Sequence, residues 1–186
     1  METMKSLGYI VLACSLSLTT TVVAQQNGGT TNGDTDSTQV AQHAAAMQLV
    51  AALGTRETLL NNKEKGVEQG KQAMRLNYPT YDPQFVDEWG KRFLARYNVE
   101  DYLTVIANVY AKHLTLADLN ELNAAAKKPG SIASSALSPA LKEKLATSMV
   151  SLQSEIIGAA AQVGSKLGGT IGMEIAKEHP DWVKPN

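Results

Sequence analysis

Apolar residues recur every three or four positions from Val40 to Ile175, and nothing in the chain alternates apolar and polar residues for long. That spacing gathers apolar side chains on one face of a helix, whereas a half-buried strand needs a period of two. The expected fold is therefore all-α, an antiparallel bundle of about five or six helices joined by short connections. The chain is short enough for one domain.

Local chemistry sets the expected boundaries. A helix over 39–53 carries Val40, Met47, Val50 and Leu53 on one face. Gly54 and Thr55 then supply a stop and a new N-cap for a second helix over 55–76. Leu60, Val67 and Met74 sit seven apart on it, and Gly66 and Gly70 permit close approach of a neighbour. Asp82 followed by Pro83 announces a third helix, because proline suits the first helical position. Its Phe85, Trp89, Phe93 and Tyr97 form an aromatic stripe, the pattern of a core face that would also serve to line a cleft. On its other side Asp87 with Lys91, and Glu88 with Arg92, are placed as i,i+4 ion pairs.

A fourth helix begins at Asn98–Val99 and ends near His113, whose position suits the helix dipole. Thr115 caps a short fifth helix with Asp118 three residues on, the spacing of a capping box, and Leu116, Leu119 and Leu122 face inward. Lys127, Lys128, Pro129 and Gly130 end it. After a serine-rich connection over 131–138, Ser138 and Pro139 open a long last helix reaching Lys177.

The N-terminus reads as an export signal. One lysine precedes an apolar run over 7–18, and small residues at Val22 and Ala24 place cleavage before Gln25. The run is shorter than the roughly 20 apolar residues a spanning helix needs. Residues 1–24 are thus an expected signal peptide, and the product is periplasmic or secreted. An uncleaved anchor, or lipidation of Cys14 within the faint lipobox Val11-Leu12-Ala13-Cys14, are the alternatives. Cleavage after Ala24 would leave no cysteine, and with it no disulfide, thiol chemistry or Cys-ligated zinc. Residues 25–38, polar and rich in Gly, Thr, Asn and Asp, are an expected disordered linker. The helical domain follows over 39–177, and 178–186 form a C-terminal tail.

Val109-Tyr110-Ala111-Lys112-His113-Leu114-Thr115, followed by Asp118, Leu119 and Leu122, resembles the "YAKHFTxxEL" core of the DUF2059 family. The family motif corresponds here to Tyr110, His113, Thr115, Asp118 and Leu119. Beyond it the likeness weakens: residues 123–126 lack the family's Phe-Tyr pair, and Lys128-Pro129-Gly130 only echoes its turn. The resemblance implies a small exported helical protein of bacteria. It implies no reaction.

No catalytic, cofactor or metal site stands out. His113 beside Asp118 or Glu121 would make an acid–base couple or metal site, but a helix break separates them, and His43 and His179 are distant. Glu178, His179 and Asp181 in the tail would hold a metal only weakly. No serine lies in a Gly-x-Ser-x-Gly turn, and no glycine-rich loop follows a strand. Seventeen basic residues are scattered among eighteen acidic ones, so a phosphate-binding surface, and nucleic acid as a partner, are not expected. One stripe remains: Ala160, Gly164, Gly168, Gly172 and Ala176 recur every four residues and leave a helix face nearly bare. It suits close packing within the bundle, self-association, or docking of a partner helix. Lys166 and Glu174 count against a stable membrane span there. The expectation is a non-enzymatic exported binding or interaction module without a cofactor. The alternative is a membrane-associating or self-assembling protein using the glycine face.

Overall fold

The computed structural model describes residues 33–128 and 130–183. The expected signal peptide with Cys14, linker residues 25–32, Pro129 and tail residues 184–186 lie outside the described residues. Six helices pack against one another: α1 (Gly33–Ala52), α2 (Thr55–Asn77), α3 (Pro83–Arg96), α4 (Val99–His113), α5 (Leu116–Ala125) and α6 (Pro139–Glu178). The fold is all-α.

The caps form as their chemistry dictates. Asp82 accepts from the Gln84 amide, Asn98 from Glu100 and Ser138 from Leu141. Thr115 and Asp118 make both halves of a capping box. Gly54 turns the chain from α1 into α2 at φ 66°, a left-handed conformation that glycine adopts without penalty. Glu121 on α5 accepts hydrogen bonds from the Ser138 amide and, at 3.2 Å, from its hydroxyl, which ties the start of α6 to α5.

Two apolar cores form, and α6 joins them. The larger gathers α1, α4, α5 and the first half of α6 around Leu49, Ile106, Leu119 and Leu141. The smaller gathers α3 with Val67 of α2 and Ile171 and Ile175 of α6. Forty residues at 1.5 Å each make α6 about 60 Å long, enough to serve both. Tyr97 packs against both cores. Polar side chains reinforce the larger one: Gln42 Nε2 donates to the carbonyls of Ala111 (2.6 Å) and Leu114 (2.7 Å), and Asn123 Nδ2 to that of Ala45 (2.9 Å).

Several local expectations are corrected. Helix α1 starts at Gly33, inside the segment expected to be linker, and Val40 is 65% exposed because the inward face there begins at Ala45 and Ala46. On α2 Leu59 is buried together with Val67, and Leu60 is turned to solvent. Asp87 does not pair with Lys91. It reaches across to α2, 2.9 Å from Lys71 Nζ and 3.2 Å from Arg75, while Lys91 lies 3.5 Å from Glu88. A short antiparallel pairing of Ala126 with Ile132 and Lys128 with Ser131 follows α5, and the Gly130 amide, at φ 76°, donates to the Ala52 carbonyl.

The tail is not simply solvated. Residues Pro180–Trp182 form a 3-10 turn, and the Asp82 amide donates to the Trp182 carbonyl at 2.9 Å. Trp182 and Val183 thereby pack on the smaller core.

Candidate functional site

Helices α2 and α6 both lie along α3 but scarcely touch each other. Between them runs an open groove of about 800 Å³, within the range of small-molecule sites. Its floor is the aromatic face of α3, and its walls are the glycine-bearing faces of α2 and α6.

The floor is built by helical periodicity. Phe85, Trp89 and Phe93 are spaced by four, so they share a face, and they are only 4–8% exposed. Neighbouring rings extend the row at both ends. Tyr78 stacks on Tyr81 and Tyr81 meets Phe85 edge-on, each pair with centroids 4.9 Å apart. Trp89 lies 5.0 Å from Phe93, Phe93 lies 6.5 Å from Tyr97, and Tyr97 stacks on Tyr102 at 4.9 Å. These separations fall in the favourable window for aromatic pairs.

The walls explain the glycines. A β-carbon built at Gly70 would sit 3.0 Å from Trp89 Cη2, and one at Gly168 would sit 3.0 Å from Cζ2. The indole is thus wedged between two helices, each of which can close on it only because it carries no side chain there. Trp89 Nε1 donates to the Gly168 carbonyl at 3.0 Å, which satisfies its one polar group and fixes the ring. Gly164 faces the Tyr102 hydroxyl and Gly172 faces the Phe85 ring, at 3.4 and 3.9 Å from their would-be β-carbons. Ala160 is buried, and Ala176 packs on the smaller core. The small-residue face of α6 is therefore turned toward aromatic side chains of its own chain. Gly158 and Gly169 have nothing within 4 Å of a would-be β-carbon.

The groove is almost uncharged. Among the described residues no Asp or Glu lines it, and Lys63 of α2 is the one charged residue in the lining. Lys63 sits one turn from the end where Leu59 and Ala160 line the groove, alongside Tyr97 and Tyr102. Burial pushes the Tyr97 phenol up to about 12, so it stays protonated at neutral pH.

The motif residues do not belong to this groove. Tyr110 and Leu119 are buried in the larger core, and burial pushes the Tyr110 phenol up to about 12. Thr115 and Asp118 cap α5, and Asp118 also lies 2.5 Å from Lys144. Burial works against ionisation of that carboxyl, but its bonds to Lys144 and Thr115 prevail and hold it below the usual carboxylate range. His113 Nε2 lies 3.0 Å from Glu155 Oε1 on α6, so neither Asp118 nor Glu121 is its partner. In the tail, Glu178 takes a two-pronged pair from Arg92 (2.9 and 2.7 Å), and His179 stacks on Trp182 with centroids 3.8 Å apart. Among the described residues no three of His, Cys, Asp and Glu converge on a point, and no helix is long and apolar enough to cross a membrane.

Lys63 carries no signal in a motif search. The usable clue is that positions three and four away on either side (Leu59, Leu60, Gly66 and Val67) offer no acid to pair with it. No family model, curated protein or solved structure matches this chain.

Proposed function

We propose that this chain is an exported, non-enzymatic helical binding module that holds an apolar small molecule in the groove between α2 and α6. The observation that carries the reading is the groove itself: about 800 Å³, floored by the aromatic face of α3 and walled by glycines. Ligand sites are concave, mostly apolar and furnished with few polar groups, and this groove has that character. Export rests on the N-terminal sequence pattern, and kinship with the DUF2059 family on the Tyr110–Leu122 motif. Self-assembly or membrane association through Gly164, Gly168 and Gly172 has less support, since those positions already face Tyr102, Trp89 and Phe85.

The test is titration of the purified protein with a neutral apolar fluorophore such as a phenylnaphthylamine. Saturable binding at one site per chain is expected. Gly172→Leu, whose added β-carbon makes only ordinary contact with Phe85, should fill the groove and abolish binding while helicity by circular dichroism is unchanged. Absence of saturable binding to the unaltered protein would refute the reading. Release of a shortened protein by osmotic shock from a Gram-negative host tests export separately.

A further inference from the structure

The shape and charge of the groove narrow the ligand class, an inference that rests on the binding role proposed above. Among the described residues Lys63 is the single charge lining a groove otherwise made of aromatic, aliphatic and glycine residues with a few neutral polar ones. It makes no ion pair among the described residues, whereas Lys71, two turns along the same helix, is held by Glu68 and Asp87. A lysine in the lining of an apolar groove, with no acid among the described residues of that lining, complements one negative charge. It does not suit a cation, and a phosphate dianion calls for more donors than one lysine supplies.

The long dimension sets the rest of the ligand. Between Lys63 and Asn77 the α2 wall runs about 21 Å, and between Ala160 and Ala176 the α6 wall runs about 24 Å, at 1.5 Å per residue. An extended saturated chain with bonds of about 1.5 Å advances about 1.25 Å per carbon, so about 16–18 carbons match the shorter, α2 wall. Gly169, with nothing within 4 Å of a would-be β-carbon, and Gly172, with only Phe85 at 3.9 Å, leave room for a slender chain beside the rings. The cation stands near the Ala160 end, and the opposite end, at Met74, Gly172 and Met173, presents no charge.

We propose that the groove binds a long-chain aliphatic carboxylate, its head against Lys63 and its chain laid over the aromatic floor toward Phe85. The head group meets the ammonium, with the Tyr97 and Tyr102 side chains beside it. The methylenes leave water for the apolar lining of the groove.

The experiment is displacement of the neutral naphthylamine probe from the purified full chain by three amphiphiles of equal chain length, kept below micelle formation. Hexadecanoate should compete best, hexadecanol about tenfold less well, and hexadecyltrimethylammonium worse still, a tenfold step being about 1.4 kcal/mol. Lys63→Gln should bring the affinity for hexadecanoate, about tenfold above that for hexadecanol in the unaltered protein, down to that of the alcohol, and Lys63→Arg should restore the difference. Equal competition by the acid and the quaternary ammonium overturns the proposal while the groove remains a binding site. So does a Lys63→Gln variant that binds the acid as before. Preference for phosphatidylglycerol vesicles over the free acid also overturns it. If the neutral probe never binds, the groove reading fails and this inference with it.

Discussion

Gly168 and Gly169 are neighbours on α6 with the same backbone geometry and the same propensity to gain. Replacing either by Ala removes a mid-helix glycine and should stabilise the helix by about 1 kcal/mol. The two differ in what the new methyl meets. At Gly169 nothing lies within 4 Å, so the gain should appear in full. At Gly168 the methyl meets Trp89 Cζ2 at 3.0 Å, with Cε2 and Nε1 at 3.5 Å. The ring cannot swing away, because Gly70 contacts its far edge and its N–H is bound to the Gly168 carbonyl. Overpacking of this kind costs about 1–3 kcal/mol, which exceeds the propensity gain or cancels it. Gly168→Ala should therefore be less stable than Gly169→Ala by about 1–3 kcal/mol. At this size each kcal/mol moves Tm by about 2–4 °C. Urea denaturation of the two variants, followed by circular dichroism and by indole emission, measures the difference. Equal stabilisation by both substitutions would falsify the wedge of Trp89 between α2 and α6, and with it the account of the groove walls.

Three further outcomes follow from particular contacts. Thr115→Ala removes one half of the capping box and should destabilise by about 1 kcal/mol in urea denaturation, with Thr115→Ser close to the unaltered protein. Arg92 holds the Glu88 and Glu178 carboxyls below their usual range through hydrogen bonds. Carboxylates with depressed folded values add stability that is complete above the unfolded value of about 4.3 and is lost as pH falls through the folded values. Thermal midpoints should thus drop as pH falls below about 5, and by less in Arg92→Gln; an identical acid profile in the two proteins refutes that coupling. Trp182→Ala unseats the tail from the smaller core and should speed proteolysis after α6 without loss of helix elsewhere, read by limited digestion and mass spectrometry.

The local elements were legible because their chemistry lies within a few residues. Asp82–Pro83, Ser138–Pro139 and Thr115 with Asp118 mark helix starts by capping geometry that depends on three or four neighbouring positions alone. The same holds for the face shared by Phe85, Trp89, Phe93 and Tyr97, since the helical period places them together whatever packs against them. Asp87 shows where such reasoning ends. Lys91 satisfies the i,i+4 rule on paper, but α2 brings Lys71 and Arg75 closer, and the carboxylate follows the nearer cations. Leu59 and Leu60 are equally apolar in sequence, and only the direction from which α1 and α4 approach α2 decides which is buried.

From the sequence by itself came the helical class, the caps, the aromatic stripe and the bare face of α6, all consequences of backbone period and short-range hydrogen bonding. Tertiary structure decided what those faces meet. It set Trp89 between Gly70 and Gly168, turned the α6 stripe toward rings of the same chain, and held α2 and α6 apart over α3 so that a groove stays open beside Lys63. The reason is physical: a period assigns residues to a face, but whether that face ends as filled core or as the wall of a cavity depends on the separation of helices distant in sequence.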